Sequence, residues 1–169
     1  MTDIDLKYKA SKIKALIMDV DGVMTDGSLT IDDNGVEYKT FNTKDGQGIV
    51  MLNKSGCLTA IISARMSKVV QLRAEMLGIT KVYLNSKNKL QTLKDFMKEY
   101  NLEYSDIAYI GDDLPDICIL KEAGLSACPA DAVEEVRQCV DMICEKAGGR
   151  GAVRELCDLI YYSQKSLKN

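Results

Sequence analysis

Short apolar runs alternate with amphipathic stretches along most of the chain. The runs are too short for helices and predict buried strands at 16–18, 57–62, 81–84, 106–110, 125–128 and 140–143. Apolar positions at helical spacing predict helices over 44–54, 67–77, 89–100, 131–138 and 152–163. Pro115 suits the first turn of a further helix that ends at residue 122. This alternation predicts a three-layer, Rossmann-like α/β fold, with a parallel sheet covered by helices on both faces.

Residues 28–41 break this alternation. Two short segments with alternating apolar residues flank Asn34-Gly35, which is a typical hairpin turn. An isolated hairpin is only marginally stable, so we expect this insert after the first strand to pair with another subunit. The polar residues 1–11 predict either a loose arm or a short helix, and residues 164–169 form a polar tail. Without a linker or repeat, we expect one domain over residues 1–169.

The composition limits the classes of function. Hydrophobic residues make up 46% of the 169 residues and charged residues 28%, which is typical of a soluble globular domain. The net charge of -3 gives no electrostatic footprint for nucleic acid, and no basic cluster marks a membrane surface. Without a signal peptide or an apolar span, we expect a cytoplasmic protein whose six cysteines are reduced.

Histidine is absent from the chain. Its absence excludes Ser-His-Asp triads, Cys-His pairs and His-ligated zinc sites within this chain. Acid–base chemistry therefore falls to carboxylates, lysine, tyrosine or cysteine. Because carboxylate oxygens are hard ligands, the natural metal is Mg²⁺.

Two carboxylates follow the first predicted strand. Asp19 and Asp21 end the apolar run 16–18, and Gly22 lets the chain turn sharply behind them. An Asp-Gly turn is one explanation, since both residues are common in turns. The other is a ligand site, because ligands of open α/β sheets bind where the strands end.

Further polar residues follow the other predicted strands. They are Ser63 and Arg65, Lys89, and Asp112, Asp113 and Asp116. Each has an ordinary explanation: Ser63 as a helix N-cap, Lys89 as a solvated helix residue, and the aspartates as turn formers. Because the carboxyl ends of parallel strands lie at one edge, their joint occurrence indicates a single crevice.

Together these residues resemble the four motifs of the haloacid dehalogenase (HAD) superfamily of phosphotransferases. The motifs are Asp19-Val20-Asp21-Gly22, Ser63, Lys89 and Gly111-Asp112-Asp113-x-x-Asp116. The resemblance implies that Asp19 attacks phosphorus and that Asp21 is the general acid and base. It also implies that Ser63 and Lys89 bind the phosphoryl oxygens. The implied ligands of Mg²⁺ are Asp19, the Asp21 backbone carbonyl and Asp112, supported by Asp113 and Asp116.

Longer motifs narrow the resemblance to the capless 3-deoxy-D-manno-octulosonate (KDO) 8-phosphate phosphatases. They cover 19–27, 41–46, 111–114 and 148–155. Members are magnesium-dependent homotetramers whose hairpins join and whose neighbouring subunits close each site. The resemblance implies that the substrate-binding residues are Asp21, Asn42, Thr43, Lys44, Asp45, Gly46, Val50, Arg65, Arg73 and Lys89. Arg150 either contacts sugar in a neighbour or is a surface residue of a glycine loop.

The sequence is also compatible with rival functions. The motif departs from the family at Ala64, where glycine is usual, and at Ser63, which replaces a frequent threonine. The related nonulosonate 9-phosphate phosphatases tend to carry glutamate at position 65, so Arg65 favours the octulosonate. A receiver-type phosphoacceptor also gathers Asp, Ser and Lys at strand ends, but it is shorter. A non-catalytic scaffold would not need the complete set of acids.

Overall fold

The computed structural model describes residues 2–166, in which eight strands and seven α-helices alternate. The strands are β1 (Ala15–Met18), β2 (Thr30–Ile31), β3 (Glu37–Tyr38), β4 (Leu58–Ile62), β5 (Lys81–Tyr83), β6 (Ile107–Ile110), β7 (Leu125–Cys128) and β8 (Met142–Ile143). The helices are α1 (Asp3–Lys12), α2 (Thr43–Lys54), α3 (Lys68–Leu77), α4 (Lys89–Tyr100), α5 (Ile117–Leu120), α6 (Glu134–Arg137) and α7 (Ala152–Ser166). Short 3₁₀ turns cover Tyr104–Asp106 and Leu114–Asp116.

Six of the strands form one parallel sheet in the order β5-β4-β1-β6-β7-β8. The first strand of the chain therefore lies in the middle of the sheet. Its last residue, Met18, is in register with Ile61 of β4 and with Ile110 of β6. Because the register is this close, the segments that follow β1, β4 and β6 leave the sheet side by side.

Helices cover both faces of the sheet, which confirms the predicted three layers. Successive side chains of a strand point to opposite faces, so Leu16 and Met18 lie on one side and Ile17 on the other. The first side packs against α1, α2, α3 and α7, and the second against α4, α5 and α6. All four residues of β1 are fully buried, which explains its uninterrupted apolar sequence.

The segment between β1 and α2 forms the predicted hairpin. Strands β2 and β3 pair antiparallel, and the Gly35 N–H donates to the Asp32 carbonyl at 2.9 Å to close the turn. Within residues 2–166, this hairpin stands where a cap domain would be inserted. Apolar side chains on it remain exposed, among them Ile31 at 58% and Tyr38 at 55%.

The N-terminal residues form α1 rather than a loose arm. Thr2 and Asp5 make a reciprocal capping box at its start, which satisfies backbone N–H groups of the first turn. Lys9 then donates to both carboxylate oxygens of Asp141 at 2.8 Å, and this ion pair ties the helix to the end of the sheet. No helix within residues 2–166 is both long and apolar enough for a bilayer crossing.

Two predicted helices differ from those observed. The helix predicted over 131–138 shrinks to α6, because Val133 is extended and its N–H donates to the Asp112 carbonyl at 3.0 Å instead of to a helical carbonyl. The helix predicted after Pro115 begins as a 3₁₀ turn and ends at Leu120. In α3, Ala74 lies in the core, whereas Met76 is 75% exposed.

The six cysteines are all free thiols. Four of them are buried, and burial raises the pKa of Cys57 to about 12 and that of Cys128 to about 11. Since the thiolate is the reactive form, these buried groups behave as small apolar core residues.

Candidate active site

The segments that follow β1, β4 and β6 enclose a cleft of about 170 Å³ at the carboxyl edge of the sheet. Its lining residues are Asp19, Asp21, Ser63, Ala64, Arg65, Lys89, Asp112, Asp113, Pro115 and Asp116. The structure thus brings together every residue that the four motifs single out. These residues are far apart in the sequence, and they meet because β1 lies between β4 and β6 in the sheet.

The turn behind the first two acids is tightly packed. Gly22 has φ of +85°, and a Cβ atom there would lie 2.0 Å from Asp112 Oδ2. On the other side, a Cβ atom on Gly148 would lie 1.8 Å from the Gly22 carbonyl oxygen. The Gly149 N–H also donates to the Val23 carbonyl at 2.8 Å. Only glycine fits at positions 22 and 148, so the turn is held between Asp112 and the loop before α7.

Lys89 places a buried positive charge among the acids. It is the first residue of α4, and its side chain is only 6% exposed. The Lys89 ammonium lies 3.1 Å from Asp19 Oδ1 and donates to Asp116 Oδ1 at 2.7 Å. Burial works against its charge, but the two carboxylates outweigh burial and raise the pKa of Lys89. The lysine is therefore charged at neutral pH.

The positive charge of Lys89 compensates only part of the negative charge of the acids in the cleft. Burial and the nearby charge of Asp116 raise the pKa of Asp19 from 3.8 to about 6, although Lys89 opposes the rise. Burial and the charges of Asp19, Asp116 and Asp113 raise the pKa of Asp112 to about 7. Burial is the first cause of both shifts, and repulsion between the neighbouring negative charges adds to it.

The same acids fit a bound divalent cation. One carboxylate oxygen of Asp19, one of Asp112 and one of Asp116 lie within 4.8 Å of one another. Among residues 2–166, Asp112 Oδ1 is a buried oxygen without a hydrogen-bond partner. A buried polar atom without a partner is costly. Hard oxygen donors, excess negative charge and an unpaired oxygen together suit an ion such as Mg²⁺.

Asp21 is held by two cations, one of which comes from the hairpin. The Lys39 ammonium contacts Asp21 Oδ1 and lies 2.7 Å from Glu37 Oε1, and its side chain is 1% exposed. Arg65 Nη2 donates to Glu37 Oε2 at 2.5 Å, and Arg65 Nε lies 3.7 Å from Asp21 Oδ2. Sequence reasoning missed Glu37 and Lys39. Their spacing of two residues, which puts both side chains on the same side of an extended segment, was the available signal.

Ser63 and Asp113 have different local roles. The helix that follows Ser63 begins at Lys68 after Ser67, so Ser63 is not its N-cap. The Ser63 hydroxyl oxygen accepts the Arg65 N–H at 3.2 Å, which leaves its hydrogen available to donate into the cleft. Asp113 accepts the Leu114 N–H at 2.7 Å and caps the 3₁₀ turn at the exposed rim.

The remaining residues expected to bind substrate lie outside the lining of this cleft. They are Asn42, Thr43, Lys44, Asp45, Gly46, Val50, Arg73 and Arg150. Asn42 caps α2, and the buried Asp45 accepts the Arg154 N–H at 2.8 Å. Arg73 Nη2 donates to the Asn42 carbonyl at 3.5 Å, and the exposed Arg150 pairs with Asp26 at 2.9 Å. Their contact with substrate stays a prediction.

Comparison with known proteins agrees with this geometry. Residues 50–156 match the family model of haloacid dehalogenase-like hydrolases. The chain is 42% identical to the 3-deoxy-D-manno-octulosonate 8-phosphate phosphatase of Escherichia coli (strain K12) over 163 residues, which are 96% of this chain and 87% of that protein.

Solved structures lead to the same family. A 3-deoxy-D-manno-octulosonate 8-phosphate phosphatase from Moraxella catarrhalis, in complex with magnesium, phosphate and KDO, has a TM-score of 0.95 and 40% identity, covering 99% of this chain and 96% of that one. A probable YrbI family phosphatase from Pseudomonas syringae pv. phaseolica also has a TM-score of 0.95, with 44% identity and coverage of 98% and 94%. The chain therefore belongs to the haloacid dehalogenase-like hydrolases, within the family of the 3-deoxy-D-manno-octulosonate 8-phosphate phosphatases.

Proposed function

We propose that this protein is a magnesium-dependent phosphomonoester hydrolase that converts 3-deoxy-D-manno-octulosonate 8-phosphate to KDO and inorganic phosphate. The observation that carries the proposal is the buried Lys89 ammonium between Asp19 and Asp116, beside the unpaired Asp112 oxygen. The relatives from Escherichia coli and Moraxella catarrhalis are named for this activity. The latter structure contains magnesium, phosphate and KDO.

Asp19 is the proposed nucleophile. Its carboxylate oxygen forms a bond to phosphorus while the bond from phosphorus to the sugar oxygen breaks, which gives an aspartyl-phosphate. Lys89 and the Ser63 hydroxyl donate hydrogen bonds to the phosphoryl oxygens. Asp19, Asp112 and the Asp21 backbone carbonyl would hold Mg²⁺, which supplies positive charge that offsets the repulsion between carboxylates and phosphate.

Asp21 is the proposed general acid and base. It gives a proton to the departing sugar oxygen and then takes one from the water that hydrolyses the aspartyl-phosphate. Lys39 and Arg65 both contact the Asp21 carboxylate. We therefore expect the entering substrate to draw at least one of these cations away, so that the Asp21 carboxyl group can reach the departing sugar oxygen.

The first experiment measures phosphate release from KDO 8-phosphate and from a nonulosonate 9-phosphate, with Mg²⁺ and with EDTA. We expect faster turnover of the octulosonate, and turnover only with Mg²⁺. Asp19→Asn should abolish turnover while the protein stays folded, because the change is isosteric. If neither sugar phosphate is turned over, the proposal is refuted. If the nonulosonate is turned over faster, the activity is that of a nonulosonate 9-phosphate phosphatase instead. Stable phosphorylation of Asp19 without turnover would instead indicate a phosphoacceptor module.

Arg65 is the proposed specificity residue for the sugar acid. Its guanidinium can hold a carboxylate in a bidentate pair, and its side chain is 43% exposed at the cleft. Arg65→Ala should weaken the use of KDO 8-phosphate and leave cleavage of p-nitrophenyl phosphate, which has no carboxylate, close to wild type. An equal loss on both substrates would show that Arg65 does not select the sugar acid.

The proposed assembly is a cytoplasmic homotetramer joined through the hairpins, as the family resemblance implies. The exposed apolar residues Ile31 and Tyr38 support it, and so does a groove of about 500 Å³ between the hairpin and the exposed Met66 and Leu72. Light scattering should give the mass of a tetramer for the wild type and a smaller mass for Ile31→Asp. A monomeric wild type at micromolar concentration would contradict the assembly. The last residues of the predicted tail, 167–169, lie outside the described residues.

A further inference from the structure

The Asp116 carboxylate is surrounded by hydrogen-bond donors. Its Oδ1 accepts from Lys89 Nζ at 2.7 Å and from the Tyr109 hydroxyl at 2.5 Å. Its Oδ2 accepts from the backbone N–H groups of Asp112 at 3.2 Å and Asp113 at 3.4 Å. The residue has no exposed surface at all.

These four donors use the whole accepting capacity of the group. An ionised carboxylate has about four lone-pair sites, two on each oxygen. Asp116 therefore has no site left for a cation, although its oxygens lie near those of Asp19 and Asp112. Among these three acids, the one with a buried oxygen that lacks a hydrogen-bond partner is Asp112. The hydrogen bonds thus divide the acids: Asp116 holds the lysine, while Asp19 and Asp112 face the cleft.

Tyr109 supplies the hydroxyl among these four donors. It lies in the middle of β6, in register with Ile17 of β1 and Ser126 of β7, and it is fully buried. Neighbouring strands fix its backbone on both sides, so its hydroxyl reaches Asp116 from a rigid support. Burial, together with the charges of Asp116 and Asp19, raises the pKa of Tyr109 well above its usual value, which keeps the hydroxyl proton in place.

We propose that Tyr109 is a positioning residue of the hydrolytic site, whose hydroxyl fixes the Asp116 carboxylate so that Lys89 stays against Asp19. This inference rests on the proposed phosphatase function and adds a residue to it. Without the hydroxyl, one lone pair of Asp116 Oδ1 becomes free and the carboxylate can rotate about its Cβ–Cγ bond. The lysine then loses its fixed orientation toward the phosphoryl oxygens.

The test is Tyr109→Phe, which removes one oxygen atom and keeps the packing of the ring. We expect kcat for p-nitrophenyl phosphate and for KDO 8-phosphate to fall between about 10- and 100-fold, as is typical when an outer partner of a site is removed. KM should stay within about twofold, because the interaction acts on the transition state. Tyr100→Phe is the matched control, since Tyr100 packs on Phe96 in α4, away from the cleft, and should keep wild-type kcat.

A double-mutant cycle with Asp116→Asn distinguishes positioning from a structural role. If Tyr109 acts through Asp116, adding Tyr109→Phe to Asp116→Asn should cause little further loss of kcat. Equal losses in both backgrounds, wild-type kcat in Tyr109→Phe, or a variant that unfolds below the assay temperature would each overturn the inference. An inactive wild type would reject the proposed function itself, whereas an active wild type with an unaffected variant rejects only the role of Tyr109.

Discussion

Replacing Asp112 by asparagine should stabilise the metal-free protein while abolishing its activity. The oxygens of Asp19, Asp112 and Asp116 lie within 4.8 Å of one another, and Lys89 is the cation that contacts the first and third of them. Asparagine has the shape of aspartate without its charge. The change therefore relieves repulsion without opening a cavity, and it removes a proposed ligand of Mg²⁺.

The size of the effect follows from the pKa of Asp112, which burial and the neighbouring acids raise from 3.8 to about 7. At 1.36 kcal/mol for each pH unit, the ionised carboxylate destabilises the folded protein by about 4 kcal/mol. Solvent reaches part of this side chain and screens its charge, so we expect about half of that, roughly 2 kcal/mol. For a chain of 169 residues this corresponds to a rise in Tm of about 4–8 °C.

The pH dependence has a definite sign. An acid whose pKa is higher in the folded state binds its proton more tightly there than in the unfolded state. Wild-type stability should therefore fall as pH rises from about 4 to about 7, the range between the unfolded and folded pKa values of Asp112. Asp112→Asn lacks this loss, so its advantage in Tm should be larger at pH 8 than at pH 5.

Calorimetry in EDTA at pH 5 and pH 8 measures this difference. Asp33→Asn is the control for removing a single negative charge, because Asp33 is exposed on the hairpin, and its Tm should follow the wild type. Addition of Mg²⁺ at pH 8 should raise the Tm of the wild type more than that of Asp112→Asn. A Tm for Asp112→Asn at or below the wild type in EDTA at pH 8 would refute the argument from repulsion.

Two further substitutions test the surroundings of the acids. Gly22→Ala should lower kcat by more than about 100-fold, because the added methyl group meets Asp112 at 2.0 Å. Gly56 is the control, since it has a similar φ of +92° but lies in open space. Gly56→Ala should therefore keep wild-type kcat and lose about 1–2 kcal/mol of stability. Lys39→Met should lower kcat by about tenfold, because it releases Asp21, the proposed general acid and base. Lys81→Met is the control, since it breaks an exposed ion pair of 2.6 Å and should keep wild-type kcat. Equal kcat in both lysine variants would exclude a role for Lys39.

The layers of the fold were predictable because they depend on local periodicity. Buried parallel strands leave uninterrupted apolar runs, and the helices leave apolar positions at a spacing of three and four residues. The order of strands in the sheet was not predictable, since parallel pairing joins segments far apart in the chain and leaves no local pattern. The late start of α6 was not predictable either, because it depends on the hydrogen bond from the Val133 N–H to the Asp112 carbonyl, which leaves no local pattern.

The cleft was predictable in part for a related reason. Asp19 and Ser63 directly follow an apolar strand and Asp112 follows one after a single glycine, so their meeting at one sheet edge could be predicted before the strand order was known. Tyr109 and Lys39 carried weaker signals. A tyrosine inside an apolar strand looks like an ordinary core residue, and a lysine in an alternating hairpin looks like a solvated one. Only three-dimensional contacts distinguish them from these alternatives.

The packing of Gly148 and Gly149 behind the turn at Gly22 has a consequence for biosynthesis. A nascent chain on the ribosome already contains all the acids of the cleft once residue 116 has emerged. It lacks the support behind their turn until the loop at 148–151 follows. We expect catalytic competence to arrive only after residues 148–151 have emerged, and truncations that remove this loop to abolish activity while β1, β4 and β6 are still present.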